Sequence, residues 1–192
     1  MLITKLPIYL ASQSPRRKSL LKQIGLEFKT FSVELDEEIL DGEHPINTVK
    51  RLSLEKLKEA EKKVSDGIII TADTIVVIDK EIIGKPLTQK EAKTILKRLS
   101  GRTHFVYTGY SIKNLLKNKL ITDYRRTSVT FRDLSITEIN DYVKTGSPMD
   151  KAGAYGIQDD YGALFISKIN GCYYNVMGLP LSNVFVSLKE IM

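Results

Sequence analysis

Residues 67–79, GIIITADTIVVID, form a nearly continuous run of β-branched residues that one carboxylate interrupts. Such a run is typical of a strand buried on both faces, as in α/β sheets covered by helices. An unpaired carboxylate at Asp73 would lose several kcal/mol of hydration on burial. We therefore expect a metal ion, a basic neighbour or hydrogen bonds at Asp73, which is either a structural strand-end residue or a catalytic group.

Helical and extended patterns alternate along the rest of the chain, with hairpins among them. Further strands are predicted at 7–11, 27–33, 81–84, 103–113, 119–132 and 163–169. Helices are predicted to begin after the caps Ser14, Thr88 and Ser135 and at Pro45, and a last helix covers 181–192. This alternation indicates a mixed sheet of the α/β class. The length of 192 residues, without repeats or linkers, predicts a single domain over 1–192.

Composition limits the partners without choosing among them. Hydrophobic residues make up 42% of the chain and charged residues 27%, as in soluble globular proteins. The formal net charge of +6 suggests an anionic partner, and nucleic acids, membrane surfaces and nucleotide phosphates all qualify. No stretch is apolar enough to cross a bilayer, so we expect a cytoplasmic protein without a membrane partner.

The cysteine and histidine content restricts metal chemistry. A single cysteine, Cys172, excludes an internal disulfide, and His44 and His104 are too few and too far apart for an imidazole zinc site. Any metal must therefore be held by oxygen ligands. Several carboxylates and cations without a histidine base suit phosphoryl or nucleotidyl chemistry, in which oxygen atoms hold Mg²⁺ or Mn²⁺.

Two arginines stand at the predicted start of the first helix. Ser14 as N-cap and Pro15 at the first helical position place Arg16 and Arg17 in the first turn. Because a helix N-terminus carries partial positive charge, adjacent cations there cost stability unless an anion binds among them. The two arginines are therefore candidates for an anion site, and a solvated surface pair is the alternative.

Other candidate residues are weaker when taken singly. Lys85 follows a predicted hairpin that could return to the sheet end of Asp73, and Lys56 lies at the edge of an apolar helix stripe. Solvated or snorkelling lysines are the alternatives. The glycine-rich stretch KAGAYGIQDDYGALF, which contains Gln158, would let a ligand approach the backbone. No Walker loop, GxGxxG or GxSxG pattern occurs, which argues against those nucleotide-binding and acyl-transfer designs.

Five motifs, in their order along the chain, resemble the Maf family of nucleoside triphosphate pyrophosphatases. They are LASQSPRRKSLL, ADTIVV followed by GKP, SGRTHFVYTG, DKAGAYGIQ and GLPL, and the resemblance extends from about Ile8 to Val184. It implies an elongated α/β fold similar to inosine triphosphate pyrophosphatases, with two lobes around a central cleft. It also implies hydrolysis of a nucleoside triphosphate to the monophosphate and pyrophosphate, and it suggests a homodimer.

The resemblance also implies roles for individual residues. Asp73 matches the catalytic carboxylate, a general base toward water that also binds a divalent metal, Mg²⁺ or Mn²⁺. Glu38 matches an acidic residue that shares this metal, although Asp36 and Glu37 leave its register open. The matched phosphate-site cations are Arg16, Arg17, Lys56 and Lys85, and Ser12 and Ser14 belong to the same loop. Arg16, Thr74 and Gln158 match positions associated with substrate selection.

Within the family, AYGIQ resembles the branch that acts on dTTP and UTP rather than the branch that acts on 7-methyl-GTP. Some residues depart from the family pattern. Ser53 and Leu57 stand where alanine is usual, and Cys172 stands where serine is usual. The stretch 159–161 is bulkier and more acidic than the usual glycine-rich continuation, and it adjoins Gln158. The resemblance therefore favours pyrimidine triphosphates while constraining the base less closely than the reaction.

Two other functions are kept as alternatives. The positive charge and the family's association with septum formation suggest a nucleic-acid-binding or division-regulating protein. However, the lysines and arginines are dispersed and the chain has no tryptophan, so we expect no stable nucleic-acid partner. The second alternative keeps the fold but takes non-standard purine nucleotides as substrates.

Overall fold

The computed structural model describes residues 5–158 and 161–192, which form seven strands and six helices. The strands are β1 (Ile8–Ala11), β2 (Lys29–Phe31), β3 (Ile68–Ile78), β4 (Glu81–Ile83), β5 (Thr103–Asn114), β6 (Lys119–Phe131) and β7 (Ile166–Asn170). The helices are α1 (Pro15–Gln23), α2 (Pro45–Glu61), α3 (Gln89–Leu99), α4 (Ile136–Lys144), α5 (Tyr173–Met177) and α6 (Leu181–Ile191). Short 3-10 turns occupy Ser147–Asp150, Ala152–Ala154 and Ala163–Phe165.

All seven strands belong to one mixed sheet, which confirms the predicted fold class. The strand order is β2-β1-β3-β5-β6-β7, and β4 pairs with β3 outside this path. Strand β1 pairs in parallel with β2 and β3, whereas β4 runs antiparallel to β3 and β7 antiparallel to β6. As the β-branched run predicted, β3 is the buried strand, and Thr74 is the one residue in it that is not fully buried.

The described chain divides into two compact units. The first contains the chain up to Asp73 together with Thr108–Arg125 and Gly178–Met192, and the second contains Thr74–Tyr107 and Arg126–Met177. Each unit has its own apolar cluster, around Leu57 and Ile69 in the first and around Leu96 and Phe131 in the second. The assignment of 1–192 to a single domain stays a prediction. No helix in the described chain is long and apolar enough to span a membrane.

The helix caps differ in how fully they match the sequence signals. The Ser135 side chain accepts from the Glu138 amide, and the Glu138 carboxylate accepts from the Ser135 amide, so this capping box is complete. The Thr88 side chain accepts from the Glu91 amide. The Glu91 carboxylate, however, accepts from the Leu87 amide at 2.7 Å, one residue before the cap. The predicted cap at Thr88 is confirmed, but the Glu91 carboxylate bonds to the Leu87 amide rather than to the Thr88 amide.

Two segments differ from their predicted structure. The predicted strand at 163–169 begins with a 3-10 turn, and extended backbone starts only at Ile166. Arg132 holds this turn, because its amide donates to the Phe165 carbonyl and its Nε donates to the Leu164 carbonyl. The turn buries Phe165 and exposes Leu164. Both residues are apolar, so the sequence pattern alone does not distinguish them. The sequence pattern also missed α5, which has only five residues.

Helix α2 lies directly on the backbone of β5 in the first unit. A Cβ atom added at Gly109 would lie 2.2 Å from the Val49 carbonyl oxygen, closer than any side chain allows. Glycine therefore sets the distance between this helix and the sheet. The same contact brings the next buried positions of α2, including Ser53 and Lys56, against β3 and β5.

We expect Gly109→Ala to destabilise the protein by about 1–3 kcal/mol or more, because the helix backbone must move to accommodate the methyl group. Gly84→Ala is a matched control, since no atom lies within 4 Å of its added Cβ. Urea unfolding of both variants measures the difference. Equal midpoints for the two variants would show that α2 can shift away from β5 at little cost.

Candidate active site

The connection from β1 to α1 is a short turn of serines, as the sequence predicted. The Ser12 hydroxyl accepts from the Ser14 amide at 3.2 Å, and the Ser14 side chain accepts from the Arg17 amide at 3.4 Å as the N-cap of α1. The first turn of α1 contains no acidic residue. Backbone amides and two arginines are therefore concentrated at this helix start, an arrangement that attracts anions.

The Arg17 guanidinium is held on two sides within the first unit. Its Nε donates to the Gly178 carbonyl at 2.8 Å, and its Nη1 donates to the Ser12 hydroxyl at 3.4 Å. Desolvation lowers the pKa of Arg17, and the charge of Asp73 opposes this effect. The lowered pKa still leaves arginine protonated at neutral pH. Arg17 is thus an oriented cation in the electric field of Asp73.

The Asp73 carboxylate has the basic neighbour that its burial requires. Asp73 is 4% exposed, and its Oδ1 accepts from the Lys56 ammonium at 2.5 Å. The same ammonium contacts the Glu37 carboxylate at 2.6 Å. Because α2 supplies the lysine and the preceding acidic loop supplies the glutamate, two carboxylates and one ammonium meet at β3.

Glu37 is the acidic-loop residue that contacts Lys56, whereas the sequence analysis matched Glu38 and left the register with Asp36 and Glu37 open. Glu37 and Glu38 are both exposed, and the backbone carbonyl of the predicted residue, Glu38, accepts from Arg51 at 3.0 Å. Arg51 also pairs with Glu43 at 2.7 Å and thereby ties the acidic loop to α2. The sequence carried no signal to choose between adjacent glutamates, since the choice depends on how this loop is fastened. The role of Glu38 as a metal ligand stays a prediction, and the geometry favours Glu37 at Lys56.

Three predicted site residues belong to the second unit. Thr74 follows Asp73 in β3 and is half-buried, Gln158 is half-buried, and Lys85 is exposed between β4 and α3. The Gly153 amide donates to the Gly84 carbonyl at 3.2 Å, which brings the glycine-rich segment to the backbone beside Lys85. Lys85 also lines a concavity of about 530 Å³. The convergence of these three residues with Asp73 stays a prediction, as does the predicted role of the acidic stretch, whose residues 159–160 lie outside the described chain.

A buried His104–Tyr155 pair supports the segment that leads to Gln158. His104 Nε2 and the Tyr155 hydroxyl are 2.8 Å apart, and both rings pack edge to face on Phe131. Burial lowers the pKa of His104 to about 4 and raises the pKa of Tyr155. Both side chains are therefore neutral at physiological pH, so they act as packing and hydrogen-bonding groups.

The carboxylates of Asp73 and Glu37 suit a hard divalent cation. Both contact the Lys56 ammonium, so their oxygens lie around one point. In the described parts of the chain, no group of three or more His, Cys, Asp and Glu side chains could hold a metal. Mg²⁺ commonly takes one or two carboxylates and completes its shell with water and substrate phosphates. Two carboxylates are within this number, but the Lys56 ammonium occupies the point between them, so a divalent cation at the pair stays a prediction.

Comparison with known proteins identifies the family. The family model described as "Maf-like protein" matches residues 7–191, nearly the whole chain. The chain belongs to the Maf family. The Maf resemblance of its five motifs is thus confirmed, and the first of these motifs forms the β1–α1 connection described above.

Curated relatives with a stated activity cover almost the same length as this Maf chain. A dTTP/UTP pyrophosphatase of Clostridioides difficile (strain 630) is 46% identical over 95% of this chain and 94% of that protein. One of Dictyoglomus thermophilum is 48% identical over 92% of each chain. One of Chlorobium phaeovibrioides is 45% identical over 96% of this chain and 97% of that protein.

We expect the free energy of unfolding to fall as the pH is lowered from about 6.5 to 4, and His104 to contribute about 3 kcal/mol to this fall. In this window the unfolded state binds a proton at His104 that the folded state does not bind, because burial lowers the folded-state pKa to about 4. Urea unfolding across this range measures the effect.

His104→Gln removes the titrating group and should flatten this part of the profile. Tyr155→Phe is the control, since it keeps His104 buried and should retain the slope. Identical slopes in the wild type and in His104→Gln would contradict the assignment.

Proposed function

We propose that this protein hydrolyses nucleoside triphosphates, with dTTP and UTP as the preferred substrates, to the monophosphate and pyrophosphate. The observation that carries the proposal is the buried Asp73 carboxylate, paired with Lys56 beside the oriented cation Arg17. Relatives named dTTP/UTP pyrophosphatases, which are 45–48% identical over 92–97% of their length, support the same reaction.

Asp73 acts as the general base in this proposal. Its carboxylate takes a proton from the water that attacks the α-phosphorus, and the bond to the α–β bridging oxygen then breaks. Lys56 orients Asp73 through Oδ1. A positioned general base of this kind raises the rate of a hydrolytic step roughly 10²–10⁴-fold.

The cations stabilise the charge that develops on the leaving pyrophosphate. Arg17 is already held by Ser12 and Gly178, so little reorganisation is needed when the triphosphate binds. Arg16 adds positive charge at the same helix start, where Ser14 and the α1 amides also bind phosphate oxygens. Lys85 completes the set of cations in the proposal. Because Arg17 and Lys85 recognise phosphates rather than bases, they serve every triphosphate substrate, whereas Arg16 also contributes to base selection.

We propose that Asp73 holds a divalent cation, Mg²⁺ or Mn²⁺, together with an acidic-loop glutamate, Glu37 from the contacts or Glu38 from the family match. When bound, this cation polarises the phosphoryl oxygens and lowers the pKa of water. Arg16, Thr74 and Gln158 select the base. The protein acts in the cytoplasm, without a stable nucleic-acid partner, and a homodimer is the expected assembly.

A substrate panel tests the reaction. The purified protein is incubated with dTTP, UTP, CTP, GTP, ITP and modified pyrimidine triphosphates, with Mg²⁺ or Mn²⁺, and the products are separated. We expect pyrophosphate and the monophosphate, with dTTP and UTP turned over fastest, and a loss of at least about 10²-fold in Asp73→Asn.

Other outcomes of the panel favour the rival functions. Orthophosphate as the product, or full activity in Asp73→Asn, would overturn the mechanism. Faster turnover of ITP would favour the non-standard purine substrate. Salt-sensitive DNA binding without triphosphate turnover would favour a nucleic-acid-binding role.

Two adjacent substitutions test which glutamate serves the site. We expect Glu37→Gln to lower kcat by about tenfold and to raise the metal concentration required, because Glu37 contacts Lys56 at 2.6 Å. Glu38→Gln should stay within about twofold, because the bond from Arg51 to residue 38 is accepted by the backbone carbonyl, which the substitution keeps. Steady-state kinetics with a Mg²⁺ titration provides the measurement. A larger loss of kcat in Glu38→Gln than in Glu37→Gln would favour Glu38 as the glutamate that serves the site.

A further inference from the structure

A chain of hydroxyl groups, three of them buried and one half-buried, joins α2 to the sheet in the first unit. The Ser53 and Ser111 hydroxyl oxygens are 3.0 Å apart, and those of Ser111 and Thr122 are also 3.0 Å apart. Thr71 in β3 donates to the Ser53 carbonyl at 2.7 Å and lies 3.4 Å from the Ser111 carbonyl. We call these four residues, Thr71, Ser53, Ser111 and Thr122, the hydroxyl chain.

The direction of these hydrogen bonds follows from the supply of protons. Each hydroxyl has one proton, and Ser53 donates its own to the Lys50 carbonyl at 2.9 Å. Ser111 must therefore donate to Ser53, and Thr122 must donate to Ser111. The side-chain bonds all run toward α2, so each bond polarises the next and strengthens it.

The hydroxyl chain acts on the helix face that presents Lys56. Val49, Ser53 and Lys56 follow one another at helical spacing along α2, and they contact Gly109, Thr71 and Asp73 respectively. Thr71 and Asp73 are two residues apart in β3 and so lie on the same face of the strand. Thr71 thus fixes α2 to β3 one turn before the lysine that pairs with Asp73.

We propose that Thr71 is a positioning residue, which with the hydroxyl chain holds α2 in the register that places the Lys56 ammonium on Asp73. Apolar contacts in this place would tolerate small sliding of the helix, since they have no preferred direction. Hydrogen bonds between fully buried groups do have a preferred direction, because a shift of the helix leaves polar atoms unsatisfied. The consequence for catalysis rests on the function proposed above.

The test compares Thr71→Val with Thr71→Ser. Valine keeps the branched shape but removes the donor, whereas serine keeps the donor. With dTTP as substrate, we expect Thr71→Val to lower kcat by about tenfold and to change KM by less than about twofold, because the phosphate-binding arginines are untouched. Thr71→Ser should retain kcat within about twofold. Ser53→Ala, which removes the acceptor of Ser111, should lower kcat in the same direction.

Ser187→Ala is the matched control for stability. Ser187 lies on α6, away from α2, and its hydroxyl oxygen is 3.1 Å from the Tyr110 hydroxyl oxygen. The substitution removes this buried hydroxyl. We expect it to lower the urea midpoint without lowering kcat. The proposal is overturned if Thr71→Val keeps its kcat, if KM rises as much as kcat falls, or if Ser187→Ala lowers kcat equally.

A second measurement separates this inference from the proposed function. If the wild type turns over no triphosphate, the proposed function fails. Free energies of unfolding then test only whether Thr71 holds α2 in the register that places Lys56 on Asp73. Lys56→Met leaves two carboxylates without their ammonium, which is costly while α2 holds them together. We expect this substitution to cost less in a Thr71→Val background, in which the helix can shift. Additive costs would show that Thr71 and Lys56 are independent and would overturn the inference.

Discussion

The bond between the Lys56 ammonium and the Asp73 carboxylate joins the longest described helix to the buried strand of the sheet. A carboxylate in that strand requires a cation, and the cation must arrive on a helix close enough to reach it. Gly109 permits that approach, and Thr71 and Ser53 hold it with directional bonds. The polar contacts between α2 and β3 are thus organised around the Asp73 carboxylate.

The second unit relies on a different kind of packing. Its interior is a cluster of aliphatic and aromatic side chains in which His104 and Tyr155 are uncharged members. Such a core packs uncharged side chains against the backbone turns of the glycine-rich segment. Arginines, lysine and carboxylates meet in the first unit, whereas two of the three residues matched to base selection, Thr74 and Gln158, belong to the second.

Much of the fold could be predicted from local signals, whereas two features depend on contacts between distant residues. Ser14, Thr88 and Ser135 start their helices because capping depends on neighbours within a few residues. The turn at Ala163–Phe165 depends instead on Arg132, more than 30 positions away. The contact of Lys56 with the Glu37 side chain likewise belongs to a loop that Arg51 fastens through the Glu38 carbonyl. Long-range contacts of this kind leave no periodic trace in the sequence.

The bond from Arg17 to the Gly178 carbonyl spans 161 positions of the chain. A ribosome adds about 5–20 residues per second, so these two partners are made roughly 10–30 seconds apart. During that interval α1 can form, because its cap is local, while its arginine still lacks the contact that orients it. A nascent or truncated chain that ends before Gly178 therefore presents a loosely held cation, and Arg17 becomes oriented only after Gly178 has been synthesised.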